Sequence, residues 1–359
     1  TPHNYVNGKC DDCGYTDGNR NFSYVTRASS EGVWVIIKGI KDTTLENIVI
    51  PSHFDGVEVG EIETEAFKNN NNLKSITIPD TVKTIGNKAF YYCKNLTTVN
   101  LGKGLKAIGV EAFFACNNLE TINFPDGLVT IERSAFVECR KLQTINLPST
   151  VKTIGEDAFR YCRTLSTLTL PDGLEEVNNI IEYCGNLTYN EYSNGYYLGS
   201  KTNPYMVLVK QKDNNISDIT INEECKFVYY NALRDCSNLT SVVIPSKVTK
   251  IYRGALRNCT SLTNLTVSED NEYFSSERNV IYNKEKTVLL LGAGGIDTLV
   301  VPSQVTEIAD YAFSGAKLRF LNLENVKIIG KYAFENCSIQ NLELNDDLTT
   351  ISEGAFYNC

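Results

Sequence analysis

An Ala-Phe pair returns every 23 residues through the first half of this chain, at Ala66-Phe67, Ala89-Phe90, Ala112-Phe113, Ala135-Phe136 and Ala158-Phe159. It resumes as Ala232-Leu233 and Ala255-Leu256, again 23 apart, then as Ala312-Phe313, Ala333-Phe334 and Ala355-Phe356 at steps of 21 and 22. Self-similarity at a period of about 20–29 residues is the signature of a solenoid. A unit this small cannot enclose its own Phe, Leu, Ile and Cys, so successive units must stack to bury them. Such a core grows in one dimension, which lets 359 residues fold without the single large core that a chain this long would strain to build.

The unit reads A-F-x-x-C-x-x-L-x-x-I-x-[IL]-P-x-x-[VL]-x-x-I-x-x-x. In its middle, Leu96, Val99 and Leu101, or Leu142, Ile145 and Leu147, end on an apolar-polar-apolar alternation, which predicts a short strand with one face on a core. Seven of the nine prolines (Pro51, Pro79, Pro125, Pro148, Pro171, Pro245 and Pro302) follow such a strand. Having no N–H for a ladder, they end it. Ala89 and Cys93 are four apart, the spacing of one face of a single helical turn, with Phe90 beside them.

These copies resemble the leucine-rich repeat superfamily, and most closely its BspA-like branch of surface proteins from bacteria and some protists. Strand signatures begin at Leu45, Leu73, Leu96, Leu119, Leu142, Leu165, Ile216, Leu239, Leu262, Ile296, Leu318 and Ile339, so the resemblance runs from about residue 45 to the end. It implies an α/β repeat solenoid: a right-handed superhelix of short parallel strands and single helical turns, with an N-terminal hairpin cap and two inserted hairpins. The common leucine-rich pattern has Asn or Cys three residues after the last strand leucine. This chain has Pro-x-x and a small or apolar residue instead, so the Asn ladder of the better-known branch and its turn geometry do not carry over.

The formal charge is −9 and the pI about 5.0, which leaves no electrostatic footprint for nucleic acid or an anionic membrane. No apolar run is longer than five residues, as in Val33 to Ile37, and Val288 to Leu291 has four, far too short to span a bilayer. No charged n-region and apolar h-region open the chain, so any signal peptide is expected to have been removed. Of the twelve cysteines, Cys93, Cys116, Cys139 and Cys162 step by 23, and Cys236, Cys259, Cys337 and Cys359 fall in the same slot. Asn70 and Ala316 occupy that slot too, which predicts buried free thiols packing as small hydrophobes rather than disulfides.

Residues 1–20 are polar and carry His3 with the C-x-x-C pair Cys10 and Cys13, weak metal candidates because a structural zinc site needs four ligands. A local disulfide or two free thiols suits them better. Residues 21–65 form the cap, a hairpin around Ser29-Ser30-Glu31-Gly32 with Trp34 as cap packing. Repeat blocks are expected at 66–185, 211–267 and 296–359, interrupted by hairpins at 186–210 and 268–295. The first hairpin gathers Tyr189, Tyr192, Tyr196, Tyr197 and Tyr205, and inserts tend to mark one functional face. Gly292, Gly294 and Gly295 invite a phosphate-loop reading, but the spacing fails at Asp297 and no helix pattern follows.

Neither His3 nor His53 has a nucleophile motif around it, and no metalloprotease, Walker or EF-hand pattern occurs. The reading is therefore non-enzymatic, with no cofactor. Its N-x-[ST] triplets recur because the repeat wants Leu after Asn, which makes them poor glycosylation signals. The outward strand positions Thr98, Asn100, Thr121, Asn123, Thr144 and Asn146 form uncharged hydrogen-bonding columns. Together with Tyr192, Tyr196 and Tyr197 these are the candidate binding residues, although Thr also simply suits a solvated strand. The leading expectation is a secreted or cell-surface, adhesin-like protein that binds a protein partner, such as a host matrix or cell-surface protein, through its solenoid surface. A carbohydrate-binding module using the tyrosines is the second reading and a passive spacer the third. No nucleic acid and no membrane insertion are expected. A strand at Ile339–Leu344 with an open edge would favour an end-to-end dimer through the C-terminal coil.

Overall fold

The computed structural model describes residues 21–359 apart from Glu31, and the backbone of two short paired strands, Tyr5–Val6 and Lys9–Cys10. His3 and Cys13 lie outside the described residues, as does the side chain of Cys10. The chain forms two compact units, residues 1–188 and 189–359.

In the first unit every coil contributes two short strands to two separate parallel ladders. One ladder joins Asn47–Val49, Ser75–Thr77, Thr98–Asn100 and Thr121–Ile122, and Thr144–Asn146 pairs with Thr167–Thr169. These are the strands expected from the Leu-x-x-Ile segment. The other ladder is longer: Val57–Ile62, Thr84–Ile85, Ala107–Ile108, Thr130–Ile131, Thr153–Ile154 and Glu176–Val177. It arises from the [VL]-x-x-I end of the unit. Registers advance by one period, as in Thr98 against Thr121 and Ile108 against Ile131. Between the ladders the core is a repeated set of fully buried side chains, Leu96, Leu105, Ile108, Ala112, Phe113 and Cys116 in one coil.

The Ala-Phe segment is not a helical turn, and the described residues contain no α-helix. Alternate amides go different ways. Lys88, Phe90 and Tyr92 donate to the carbonyls of Val110, Ala112 and Phe114 in the next coil, at 2.8, 2.7 and 2.8 Å. Ala89, Tyr91 and Cys93 donate three residues back, to Gly86, Lys88 and Phe90 at 3.3, 3.0 and 3.1 Å. A helix would keep every amide within the segment; here half of them bind one coil to another. Lys88 and Tyr92 sit at φ 56° and 59° to permit the alternation, and Glu111 and Ala115 repeat it at 55° and 56°. Non-glycine residues at such angles cost about 1–2 kcal/mol, so stacking contacts must offset that strain in each coil. Ala89, Phe90 and Cys93 are nonetheless all fully buried as the spacing required.

Phenylalanines stack along the axis, with Phe67–Phe90, Phe90–Phe113 and Phe113–Phe136 centroids 5.1, 5.0 and 5.1 Å apart and nearly parallel rings. Beside them each cysteine thiol donates to a phenylalanine carbonyl one coil back: Cys93 to Phe67, Cys116 to Phe90, Cys139 to Phe113 and Cys162 to Phe136, at 3.0–3.3 Å. The column is of free, buried thiols. Burial pushes Cys93 and Cys184 up to about 12 and raises Cys116, Cys139 and Cys162 as well. At neutral pH these side chains are inert packing groups.

Both units use one device to begin a ladder. Phe22–Ser29 and Gly32–Ile40 form an antiparallel hairpin, and its second strand then pairs in parallel with Val57–Ile62. In the second unit Asn190–Tyr192, Gly195–Leu198 and Val207–Gln211 form an antiparallel meander, whose last strand starts a parallel ladder with Phe227–Val228 and Lys250–Ile251. Phe274–Glu277, Val280–Asn283 and Val288–Gly292 do the same for Glu307–Ile308, Ile328–Ile329 and Thr350–Ile351. The inserts are therefore the first strands of new ladders as well as interruptions. Gly292 closes the last meander because a Cβ there would lie 1.8 Å from the ring of Phe313. That glycine serves close packing. The segment Ile339–Leu344 is not a strand; it makes one bridge, Asn341 to Phe320, and the edge of the last sheet is Thr350–Ile351.

Candidate interaction surface

The strand positions that face away from the core of the first unit come from period-2 alternation around Ile76, Val99, Ile122 and Ile145, all buried. Asn100, Thr121, Asn123, Thr144 and Asn146 are exposed and Thr98 is half-buried. Ladder register places Thr98 between Ser75 and Thr121, and Asn100 beside Thr77. The columns are hydrogen-bonded along the axis: Asn100 Nδ2 donates to Thr77 Oγ1 at 3.2 Å and Ser75 Oγ to Asn47 Oδ1 at 2.6 Å. No ladder pairing joins Thr121–Ile122 to Thr144–Asn146. Asn123, at that gap, lies outside the paired strands. The face is thus two neutral patches, with Val49 exposed at one end.

The tyrosines of the first insert do not form one surface. Tyr197 is fully buried, and its hydroxyl accepts from the Asn222 amide at 3.2 Å. It is a core residue of the second unit, which corrects its reading as a binding residue. Burial also raises its hydroxyl well above the usual tyrosine range. The alternation of the strand sends the other rings to opposite sides. Tyr192 and Tyr205 pack against Tyr197 at 6.5 and 5.6 Å, with rings 80° and 87° to its plane. Tyr196 instead pairs with Tyr189 at 5.6 Å under the Lys210 ammonium, which lies 4.9 Å from Tyr189 and 5.5 Å from Tyr196. Tyr192 is exposed and Tyr196 half-buried.

A second aromatic feature, unmarked in the sequence reading, lies on the turn segments of the first unit. Tyr91 stacks on Phe114 at 5.0 Å, with the Lys68 and Lys88 ammonium groups 5.8 and 5.6 Å from its ring. Tyr161 stacks on Tyr183 at 4.7 Å with Arg160 against both. The stacked rings occupy the two variable positions before Cys, Tyr91 and Phe114 the first and Tyr161 and Tyr183 the second, so only recurrence at those two phases could have signalled them. Among the described residues no group of His, Cys, Asp and Glu could hold a metal ion, and no helix is long and apolar enough to cross a membrane.

Short parallel ladders around stacked Phe, Leu and Cys columns define a leucine-rich repeat solenoid. The chain belongs to the BspA-type leucine-rich repeat family, whose model matches residues 60–188, 211–285 and 292–359. No curated protein sequence matches it. Solved structures that are similar include a leucine-rich cell surface protein of Faecalibacterium prausnitzii, at 24% identity over 100% of this chain and 98% of that one, with a TM-score of 0.46. A leucine-rich repeat protein of Bacteroides ovatus shows 21% identity over 92% and 98% of the two chains, with a TM-score of 0.47. The leucine-rich repeat protein of T. pallidum shows 24% identity over 68% and 88%, with a TM-score of 0.43.

Proposed function

We propose that this is a non-catalytic, secreted or cell-surface protein that binds a protein partner through the Thr and Asn columns of its first unit. The observation that carries the reading is the exposed, uncharged array of hydrogen-bonding side chains held at strand spacing. A rigid, pre-ordered face of this kind loses little entropy on association. Having no charge, it recognises by shape and hydrogen bonding rather than by long-range steering. The tyrosine-based carbohydrate reading loses support because Tyr197 is buried and its neighbours meet it edge to face, leaving no flat platform. A host matrix or cell-surface protein is the partner class that fits an adhesin-like role. The test is a screen against matrix and cell-surface proteins by biolayer interferometry, repeated with Asn100→Ala, Asn123→Ala and Asn146→Ala combined. Binding should weaken at least tenfold with the unfolding midpoint unchanged; unaltered binding would move the site off this face.

A further inference from the structure

The only tryptophan of the chain, Trp34, stands where the capping hairpin joins the long ladder. Its neighbours Val35, Ile36 and Ile37 are all fully buried, while Trp34 is half-buried on the outer side of the sheet, opposite Arg27. The adjacent strand offers it Gly60. A Cβ at that position would lie 2.9 Å from the indole Cγ and Cδ1, so the absence of a side chain lets the ring rest directly on the sheet. Next to the indole opens a cavity of about 320 Å³, lined also by Glu58, Glu61, Lys83 and Thr84. Its volume is at the lower end of small-molecule sites, about 300–1,000 Å³.

The lining groups are under-used by the protein itself. Glu61 holds Arg27 through one oxygen at 3.4 Å, and among the described residues no donor takes the other. Among the described residues Glu58 has only His53, at 3.9 Å, and the Thr84 hydroxyl, on the strand paired with Glu61, makes no hydrogen bond. Two carboxylates, Lys83 and Arg27 sum to zero charge, which favours neither an anion nor a cation. A flat apolar face beside several free acceptors and a hydroxyl matches a ring with apolar C–H faces and equatorial hydroxyls.

We propose that Trp34, Glu58, Glu61 and Thr84 form a binding site for one neutral hexose unit of a glycan. The indole stacks on the C–H face of the sugar, and the carboxylates and Thr84 take its hydroxyls. This site is separate from the Thr and Asn columns, so either proposal can fail without the other.

Because Trp34 is unique, its emission reports on the site directly. The full chain is titrated with glucose, galactose, mannose and N-acetylglucosamine to roughly 50 mM, the range in which weak single-sugar binding saturates. At least one should give a saturable change in intensity or wavelength. Calorimetry should then show Glu58→Gln and Thr84→Val each weakening that sugar at least fivefold with an unchanged unfolding midpoint. No saturable change with any of the four sugars overturns the proposal, as does full affinity in both site variants. Preferential binding of glucuronate, abolished by salt, would overturn the neutral-ligand assignment.

Discussion

Phe113 is the residue whose removal tests the stacked core most directly. It is fully buried and lies between Phe90 at 5.0 Å and Phe136 at 5.1 Å, with interplanar angles of 5° and 7°. Phe113→Ala deletes the ring, leaves a cavity and breaks two stacked pairs. Truncating a buried aromatic costs about 3–5 kcal/mol, and loss of both pairs, each about 0.5–1.5 kcal/mol, places this site in the upper half of that range. Phe113→Leu should be milder, about 1–2 kcal/mol, because it keeps most of the volume while losing the ring pairs. Leu233 and Leu256 already fill the same slot in the second unit, Leu233 fully buried and Leu256 nearly so. Thr121→Ala, on the exposed face, should cost no more than about 0.5 kcal/mol. Urea titrations followed by far-ultraviolet circular dichroism would rank the three. If Phe113→Ala cost less than Phe113→Leu, or matched Thr121→Ala, the stacked column would not be what holds these coils together.

Asn271 is fully buried; its Nδ2 donates to the carbonyls of Pro245 and Val248, and its Oδ1 accepts from the amides of Tyr273 and Phe274. Asn271→Ala should cost about 2–4 kcal/mol by leaving several of these unpaired, read by the same titration. Thiol labelling at pH 8 should modify Cys359, the exposed member of the column, and leave Cys93, Cys116, Cys139 and Cys162 untouched until urea is added. Rising pH should not change this below the range in which Cys93 ionises, about 12.

The period and the Leu-x-x-Ile strand were legible because they rest on apolar spacing, and the cysteine slot because Asn70 and Ala316 also occupy it. The second ladder was not, because Thr84–Ile85 and its equivalents pair over two residues, too few for alternation to register. The spacing of the turn suits a helix equally well because Ala89 and Cys93 can be buried together by either geometry. What separates the two is the left-handed backbone at Lys88 and Tyr92, and neither residue type advertises it. Tyr197 could not be placed because tyrosine is as much at home in a core as on a surface; its strand phase settled the matter. Trp34 reads as cap packing, and its half-buried ring seats against the strand beside the hairpin, but Gly60 beneath it carries no sequence cue.

The three antiparallel starts bear on how the chain acquires its structure. A parallel coil closes a loop of about one period before it gains any contact, and lengthening the protein does not lengthen that loop. The strand pairs Phe22–Ser29 with Gly32–Ile40, Gly195–Leu198 with Val207–Gln211, and Phe274–Glu277 with Val280–Asn283 close over shorter spans. Each lies ahead of the coils it templates, so as synthesis proceeds from the N-terminus each seed is made before the repeats that will zip onto it. A coil that loses register can then spoil only the stretch up to the next seed.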